Sequence, residues 1–505
     1  MKNPRLWVAV LAIIFTLSGC TAKVKVISQP PAPEMAVHAA VITLPVTTTS
    51  DAAREQFMSG LFAFDMSRFF DARGYFEKAV ELDSAFALAI LYTANTSTSF
   101  EAFAVSLKKA EGAAGGASSE EQLLIEITRK GFDNDVEGQL MSANALVEMA
   151  PESPRAYLAL AGVQSAMNNN TEARMSIDKA IMLAPKMVSA HTAAGNSNLF
   201  GEPKDLNMAE MHFQMAADLV PTEPNPYDLL GDVYRAQGQL EKARDAYTEA
   251  GKYSGANGLP FQQRGHVNSF LGDFDAARAD YDKAISMARG NQAATFGVFR
   301  AYVHVHAGDP SAAIDELKWL TAEVDNMDIP APTGLKIFSL ASATSIALHH
   351  GMIDEAEMLI ADWSALMRLR SEKVGKEEFS RAQMAGIAYT EGMLAVKKGE
   401  FDKAEEKYKE IAKLVEPDAN PRKMEPVHEL MGAIELEQGN YAEAAGHYRM
   451  GNHENNIYIK YKLAKSLEGA GETDQAMELY ADIANWNFNG VGGALTRKEA
   501  IAKVN

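Results

Sequence analysis

The 505-residue sequence contains one cysteine, Cys20. That excludes a disulfide framework within the chain and a cysteine-based metal site. Long apolar runs are scarce too. The run from Leu6 to Leu17 is too short to span a bilayer. The motifs of common catalysis are missing: there is no G-x-x-x-x-G-K-[ST], no H-E-x-x-H and no G-x-S-x-G. The histidine groupings are His349-His350 and His304/His306. Adjacent or i+2 positions on a helix point apart, so neither makes a helical metal site. No catalytic residue, cofactor or metal ligand is expected, and the chain does not read as an enzyme. Positive charge is also in short supply. A net charge of −19 argues against nucleic acid and anionic lipid as partners of the chain body.

What the chain has instead is a recurring spacing. An alanine is followed four positions on by an aromatic or aliphatic residue, and three further by a small or apolar one. The copies are Ala72-Phe76-Ala79, Ala173-Ile177-Ala180, Ala209-Phe213-Ala216, Ala243-Tyr247-Ala250 and Ala277-Tyr281-Ala284. The spacing returns at Ala404-Tyr408-Ile411, Ala444-Tyr448-Gly451 and Ala476-Tyr480-Ile483. From Ala173 the central steps are 36, 34 and 34 residues, which predicts a solenoid of helix-turn-helix units. In the clearest unit, Pro224 to Asn257, Tyr227, Leu230 and Tyr234 share one helix face, and Ala243, Tyr247 and Ala250 share a face of the next. Gly231 and Ala243 are small enough for the two helices to approach closely. Gly238, Gly272, Gly308, Gly351, Gly399, Gly439 and Gly471, most of them before a short polar or acidic linker, predict helix stops. Residues 87–150 read as hairpins without most of these signals, with Ser119 as the expected N-cap of a helix carrying Glu120 and Glu121. After Ala313 the spacing widens. Val324–Thr333 and Arg368–Glu378 hold the extra residues, read as longer helices or loops, or as a joint near Asp328–Thr333.

Tyr227, Leu230, Gly231, Tyr234, Ala243, Tyr247 and Ala250 resemble the tetratricopeptide repeat pattern W-x2-L-G-x2-Y…A-x3-F. The resemblance implies an all-α, right-handed superhelical solenoid of about twelve hairpins that binds other proteins. The expected layout is a first array over 51–326, a proline-containing linker over 327–336, a second array over 337–487 and a capping segment over 488–505. In this family the first-helix residues of each unit line a concave groove. Carried onto this chain, they include Asn196, Asn225, Asp228, Asp232, Arg235, Gln262, His266 and Arg300, with Tyr389, Met393, Tyr458, Tyr461 and Lys465 further on. The Lys/Asn/Arg carboxylate clamp of chaperone-binding relatives has no counterpart at Leu158 and Gly162 or at Asp228 and Asp232.

Residues 1–19 carry Lys2 and Arg5 ahead of the apolar run and end in Leu17-Ser18-Gly19, directly before Cys20. This three-part pattern reads as a signal peptide. Leu-Ser-Gly-Cys resembles the lipobox of bacterial lipoproteins, which implies acylation of Cys20 and, with Thr21 rather than Asp next to it, the outer membrane facing the periplasm. Two acyl chains or more give stable anchoring. Residues 20–50 form a Pro- and Thr-rich tether, within which Val37–Val46 either pairs as a strand or lies along the first hairpins. The combined expectation is a membrane-anchored scaffold for envelope proteins or peptides. Aromatic residues near Tyr458 and Tyr461 leave open the alternative of a binding protein for a small molecule or cell-wall fragment.

Overall fold

The computed structural model describes residues 44–255, 257–327, 329 and 332–505. Cys20, the leader and most of the tether lie outside them. The chain divides into two compact units, Met1–Gly255 and Ala256–Asn505. Among the described residues there are twenty-five α-helices and no strand, and none of the helices is long and apolar enough to cross a membrane.

Unit 1 holds twelve helices: α1 Asp51–Asp65, α2 Phe69–Leu82, α3 Ala87–Asn95, α4 Phe100–Ala113, α5 Ser119–Phe132, α6 Val136–Met149, α7 Pro154–Ala166, α8 Asn170–Leu183, α9 Val188–Phe200, α10 Leu206–Leu219, α11 Pro224–Ala236 and α12 Leu240–Tyr253. Unit 2 holds thirteen: α13 Leu259–Leu271, α14 Phe274–Met287, α15 Gly290–Ala307, α16 Pro310–Glu323, α17 Pro332–His349, α18 Ile353–Val374, α19 Glu377–Lys398, α20 Phe401–Val415, α21 Glu425–Gln438, α22 Tyr441–Met450, α23 Ile457–Gly469, α24 Thr473–Ala484 and α25 Val491–Val504. From α1 to α24 each odd-numbered helix packs against the next as a hairpin, and within each unit successive hairpins stack. That makes twelve hairpins and one closing helix.

The recurring triplet is the packing core of these hairpins. Ala72, Ala173, Ala209, Ala243, Ala277, Ala404 and Ala444 have no exposed surface, and the ring of Phe76, Phe213, Tyr247, Tyr281, Tyr448 or Tyr480 beside them is at most 1% exposed. The facing residue on the first helix must be small. A Cβ on Gly195 would stand 2.3 Å from the Phe213 ring, and one on Gly231 would stand 2.4 Å from the Tyr247 ring. These hairpins therefore lock a glycine face onto a ring, a close approach that a larger side chain would break.

The predicted turn glycines adopt the left-handed conformation, with φ from 69° at Gly351 to 88° at Gly308. At Gly308 the following amide, that of Asp309, bonds back to the His304 carbonyl at 2.8 Å, which satisfies a carbonyl of the last helical turn. Three other hairpins turn at a left-handed residue that is not glycine, Ser67, Asn134 and Asn168, with φ of 59°, 56° and 60°. The cap of α5 corrects the sequence reading. Ser118, not Ser119, is the N-cap, and it forms a capping box with Glu121. The Glu121 carboxylate also accepts the Thr47 amide at 2.8 Å. Leu44 is buried against Ile127, Ala143 and Leu146, so the described end of the tether lies along the early hairpins of unit 1.

The widened spacing is helix length. α15 and α17 run 18 residues each, and α18 and α19 run 22 each. Ile329, in the stretch expected to join two arrays, is buried in the core of unit 2 with Val324 and Leu340.

Candidate functional site

In unit 1 the candidate groove residues lie on α9 and α11, the first helices of successive hairpins. On α9, Ser189, Thr192 and Asn196 follow the i, i+3, i+7 spacing of one face. Ser189 Oγ, Thr192 Oγ1 and Asn196 Oδ1 are buried and have no hydrogen-bond partner among the described residues. Asp228 Oδ1, on α11, is in the same condition. Buried polar atoms are mostly paired in folded proteins, and these four stand on the first helices of adjacent units. Asn196 and Asp228 were legible from repeat register. Ser189 and Thr192 were not, because small hydroxyl residues on a helix face give no periodic signal.

The Asp228 carboxyl is pushed up to about 8, by burial first and then by the charge of Asp232, while Arg235 opposes both. Asp232 is the better-served carboxylate. It accepts from Arg235 at 2.8 Å and from the Tyr247 hydroxyl at 2.7 Å. Asp228, buried beside it, holds its proton. Asn225 reaches Ser67 Oγ of the first hairpin at 3.4 Å.

The remaining candidate groove residues belong to unit 2 and have partners of their own. Gln262 Nε2 lies 2.7 Å from His266 Nε2, and His266 Nδ1 lies 2.9 Å from Asn489 Nδ2. Asn489 also donates to the Tyr281 hydroxyl at 3.0 Å. Arg300 spans two second helices, bonding Asp282 at 2.5 Å and Glu316 at 2.6 Å. The segment expected only to cap the last hairpin does more. α25 packs on α23 and α24 and also on α15 and α17, with Arg497 stacked 5.0 Å over the Phe270 ring. His306, facing Asn489, is pulled down to about 4 by burial. The first-helix positions of α13 and α15 are thus filled by the chain's own C-terminal segment.

Sequence spacing also concealed two histidine pairs. His191 Nδ1 lies 3.2 Å from His212 Nδ1, and His428 Nδ1 lies 3.3 Å from His447 Nδ1. In both, a first-helix histidine meets the residue just before the ring of the recurring triplet, Phe213 or Tyr448. His191 Nε2 donates to the Pro185 carbonyl at 2.9 Å, so its Nδ1 accepts and the pair is hydrogen-bonded packing. Among the described residues no group of three or more His, Cys, Asp or Glu side chains is placed to hold a metal ion.

Comparison with known proteins agrees with this geometry. Tetratricopeptide repeat models match residues 154–187, 225–256, 261–291 and 389–456. Among curated proteins, anaphase-promoting complex subunit 3 of Schizosaccharomyces pombe is 25% identical over 209 residues, 41% of this chain. The match takes in about a third of that relative's length, at 31%. Among solved structures, MamA is 20% identical, covering 33% of this chain and 91% of its own with a TM-score of 0.30. PilW, described as a widely conserved type IV pilus biogenesis factor, is 17% identical, covering 42% of this chain and 97% of its own with a TM-score of 0.35. Residues 154–187, 225–256, 261–291 and 389–456 are therefore tetratricopeptide repeats, set in a chain whose two units are each built of stacked helical hairpins.

Proposed function

We propose that this chain is a scaffold or adaptor of a bacterial cell envelope, tethered through an acylated Cys20 at the outer membrane, which holds a partner protein on the first helices of unit 1. The observation that carries the binding site is the set of four buried, unpartnered polar atoms of Ser189, Thr192, Asn196 and Asp228. Three of them are oxygens of hydroxyl or amide groups and the fourth belongs to a carboxyl, so the set is rich in acceptors. It fits a segment that presents donors: backbone amides, or the ammonium or guanidinium of a basic residue. The curated relative is itself named as the subunit of a complex, in keeping with a role in assembly.

A photo-crosslinking residue at Asn196 tests the site in the native cell. It is expected to trap one envelope protein, and the same probe at Met175, 67% exposed on the second helix α8, is expected to trap none. Adding Asp228→Ala to the Asn196 probe should lower the yield about tenfold, the effect of losing roughly 1.4 kcal/mol of binding. Equal trapping at Asn196 and Met175 would overturn the site.

The anchor rests on the lipobox resemblance of Leu17-Ser18-Gly19-Cys20. Cys20→Ser is expected to move the protein into the soluble fraction or leave its precursor uncut, as read by fractionation and mass. Unchanged membrane attachment would rule the anchor out.

A further inference from the structure

A cationic cluster in unit 2 lies apart from the groove of unit 1. It forms where the end of α17 meets the start of α23. The Tyr458 hydroxyl lies 3.1 Å from His349 Nδ1, and the His350 ring stands edge-on to that of His349 at 4.8 Å. One turn on, the Lys462 ammonium sits 5.2 Å from the Tyr458 ring centre and 5.9 Å from that of Tyr461. Lys465 stands 5.5 Å over the other side of the cluster, against Tyr461.

The charge balance here is incomplete. The two nearest carboxylates have other partners. Glu437 pairs with Lys397 at 3.5 Å, and Glu499 pairs with Lys465 at 3.6 Å and accepts the Tyr461 hydroxyl. Lys462 has no ion pair among the described residues. Ring faces attract a cation but supply no formal negative charge. The partly exposed Lys462 ammonium is left to water or to an outside anion for its counter-charge.

The titration behaviour of the same groups agrees with a positive, anion-poor environment. Lys462 is pulled down to about 8, by burial first and then by Lys465. His349 is pulled down to about 3, by burial and then by Lys462, His350, Lys397 and Lys465. A neutral His349 that accepts the Tyr458 hydroxyl hydrogen bond at Nδ1 carries its own proton on Nε2, a second donor of the cluster.

We propose that the Lys462 cluster of unit 2 is a binding site for a small oxyanion, a carboxylate or a phosphate group. The Lys462 ammonium supplies the charge, His349 Nε2–H a directed hydrogen bond, and the tyrosine rings an apolar wall that strengthens both by excluding water. This site does not depend on the scaffold reading, because it lies in the other unit and uses none of the groove residues of unit 1.

The test is calorimetric titration of the full chain with inorganic phosphate and, separately, with succinate at pH 7 and fixed ionic strength. Saturable binding of at least one anion is expected, and which of them saturates names the group. Lys462→Met should weaken that binding tenfold or more, while Lys403→Met, a surface lysine paired with Glu400, should leave it unchanged. Lys462→Met removes an uncompensated cation, so its melting temperature should hold or rise. The wild-type protein offers a readout that needs no variant. The His349 ring resonance should shift on saturation, with its pKa moving upward as the anion offsets the surrounding cations. Saturation by neither anion, or equal affinity in Lys462→Met, would overturn the site.

Discussion

Arg155→Met is expected to destabilise unit 1 by about 3–5 kcal/mol, the cost of leaving one member of a buried ion pair without its partner. Arg155 begins α7, and Asp65 ends α1, ninety positions earlier in the chain. The guanidinium meets the carboxylate with both terminal nitrogens, at 2.5 and 3.3 Å. The side chains keep only 11% and 4% of their surface. The pair is part of a longer seam. Phe62 and Met66 are buried with Val188, Ala216 and Val220, and Arg68 lies 3.4 Å from Glu223. The first hairpin is thereby fastened to α7, α9 and α10, beyond its neighbour in the stack. A solenoid whose repeats touched only their neighbours would lose stability locally on such a change. Here the loss should reach the whole of unit 1, in a transition seen by urea denaturation with probes in α1 and in α9. The double variant Asp65→Leu/Arg155→Met is the control. It removes both charges, so it should recover most of the loss. A single-variant effect no larger than that of Arg73→Met, which breaks an exposed i,i+4 pair with Glu77, would show that the seam carries no such energy.

The seam also marks how far the sequence could be read. Contacts within a hairpin lie twelve to twenty residues apart and repeat, so Ala243, Tyr247 and Gly231 announce one another through spacing. The turn glycines were legible for the same reason: a left-handed residue after a helix is a local demand. Where asparagine or serine met that demand, at Asn134, Asn168 and Ser67, the signal faded. These are the residue types whose short polar side chains tolerate the conformation, but they serve in many other places. Asp65 with Arg155, Tyr458 with His349 and Asn489 with His266 were out of reach. Each joins residues about ninety or more positions apart whose spacing follows no period. Of the eight candidate groove residues, register placed all on first helices. It had no means of showing that α25 returns across α15 and α17, so it could not separate Asn196 and Asp228, whose buried oxygens have no partner among the described residues, from His266, which the C-terminal segment contacts.

Asp228→Asn should stabilise unit 1 at neutral and alkaline pH, and its sign is opposite to that of the usual carboxylate. Most native carboxylates are held below their unfolded pKa and lose stability on acidification. Asp228 is raised to about 8 from an ordinary value of 3.8, because it is buried and faces the ionised Asp232. Between those limits the unfolded chain releases a proton that the folded chain keeps. The folded state therefore binds more protons, and stability falls as pH rises from about 4 toward 8. The full shift, from 3.8 to about 8, converts to about 6 kcal/mol at 1.36 kcal/mol per unit. The charge of Asp232 is part of that shift, so the figure is an upper bound for Asp228 alone. An amide in place of the carboxyl keeps the shape and removes the titration. Thermal melts of Asp228→Asn and wild type should then coincide near pH 4 and diverge progressively from there to about pH 8, with the variant the more stable. Parallel melting curves across that range would show that Asp228 ionises freely. The wild-type penalty has a functional counterpart. A basic group of a bound partner, placed beside Asp228, would let the carboxyl lose its proton and would recover the energy that folding withholds, so binding and proton release should be coupled at this site.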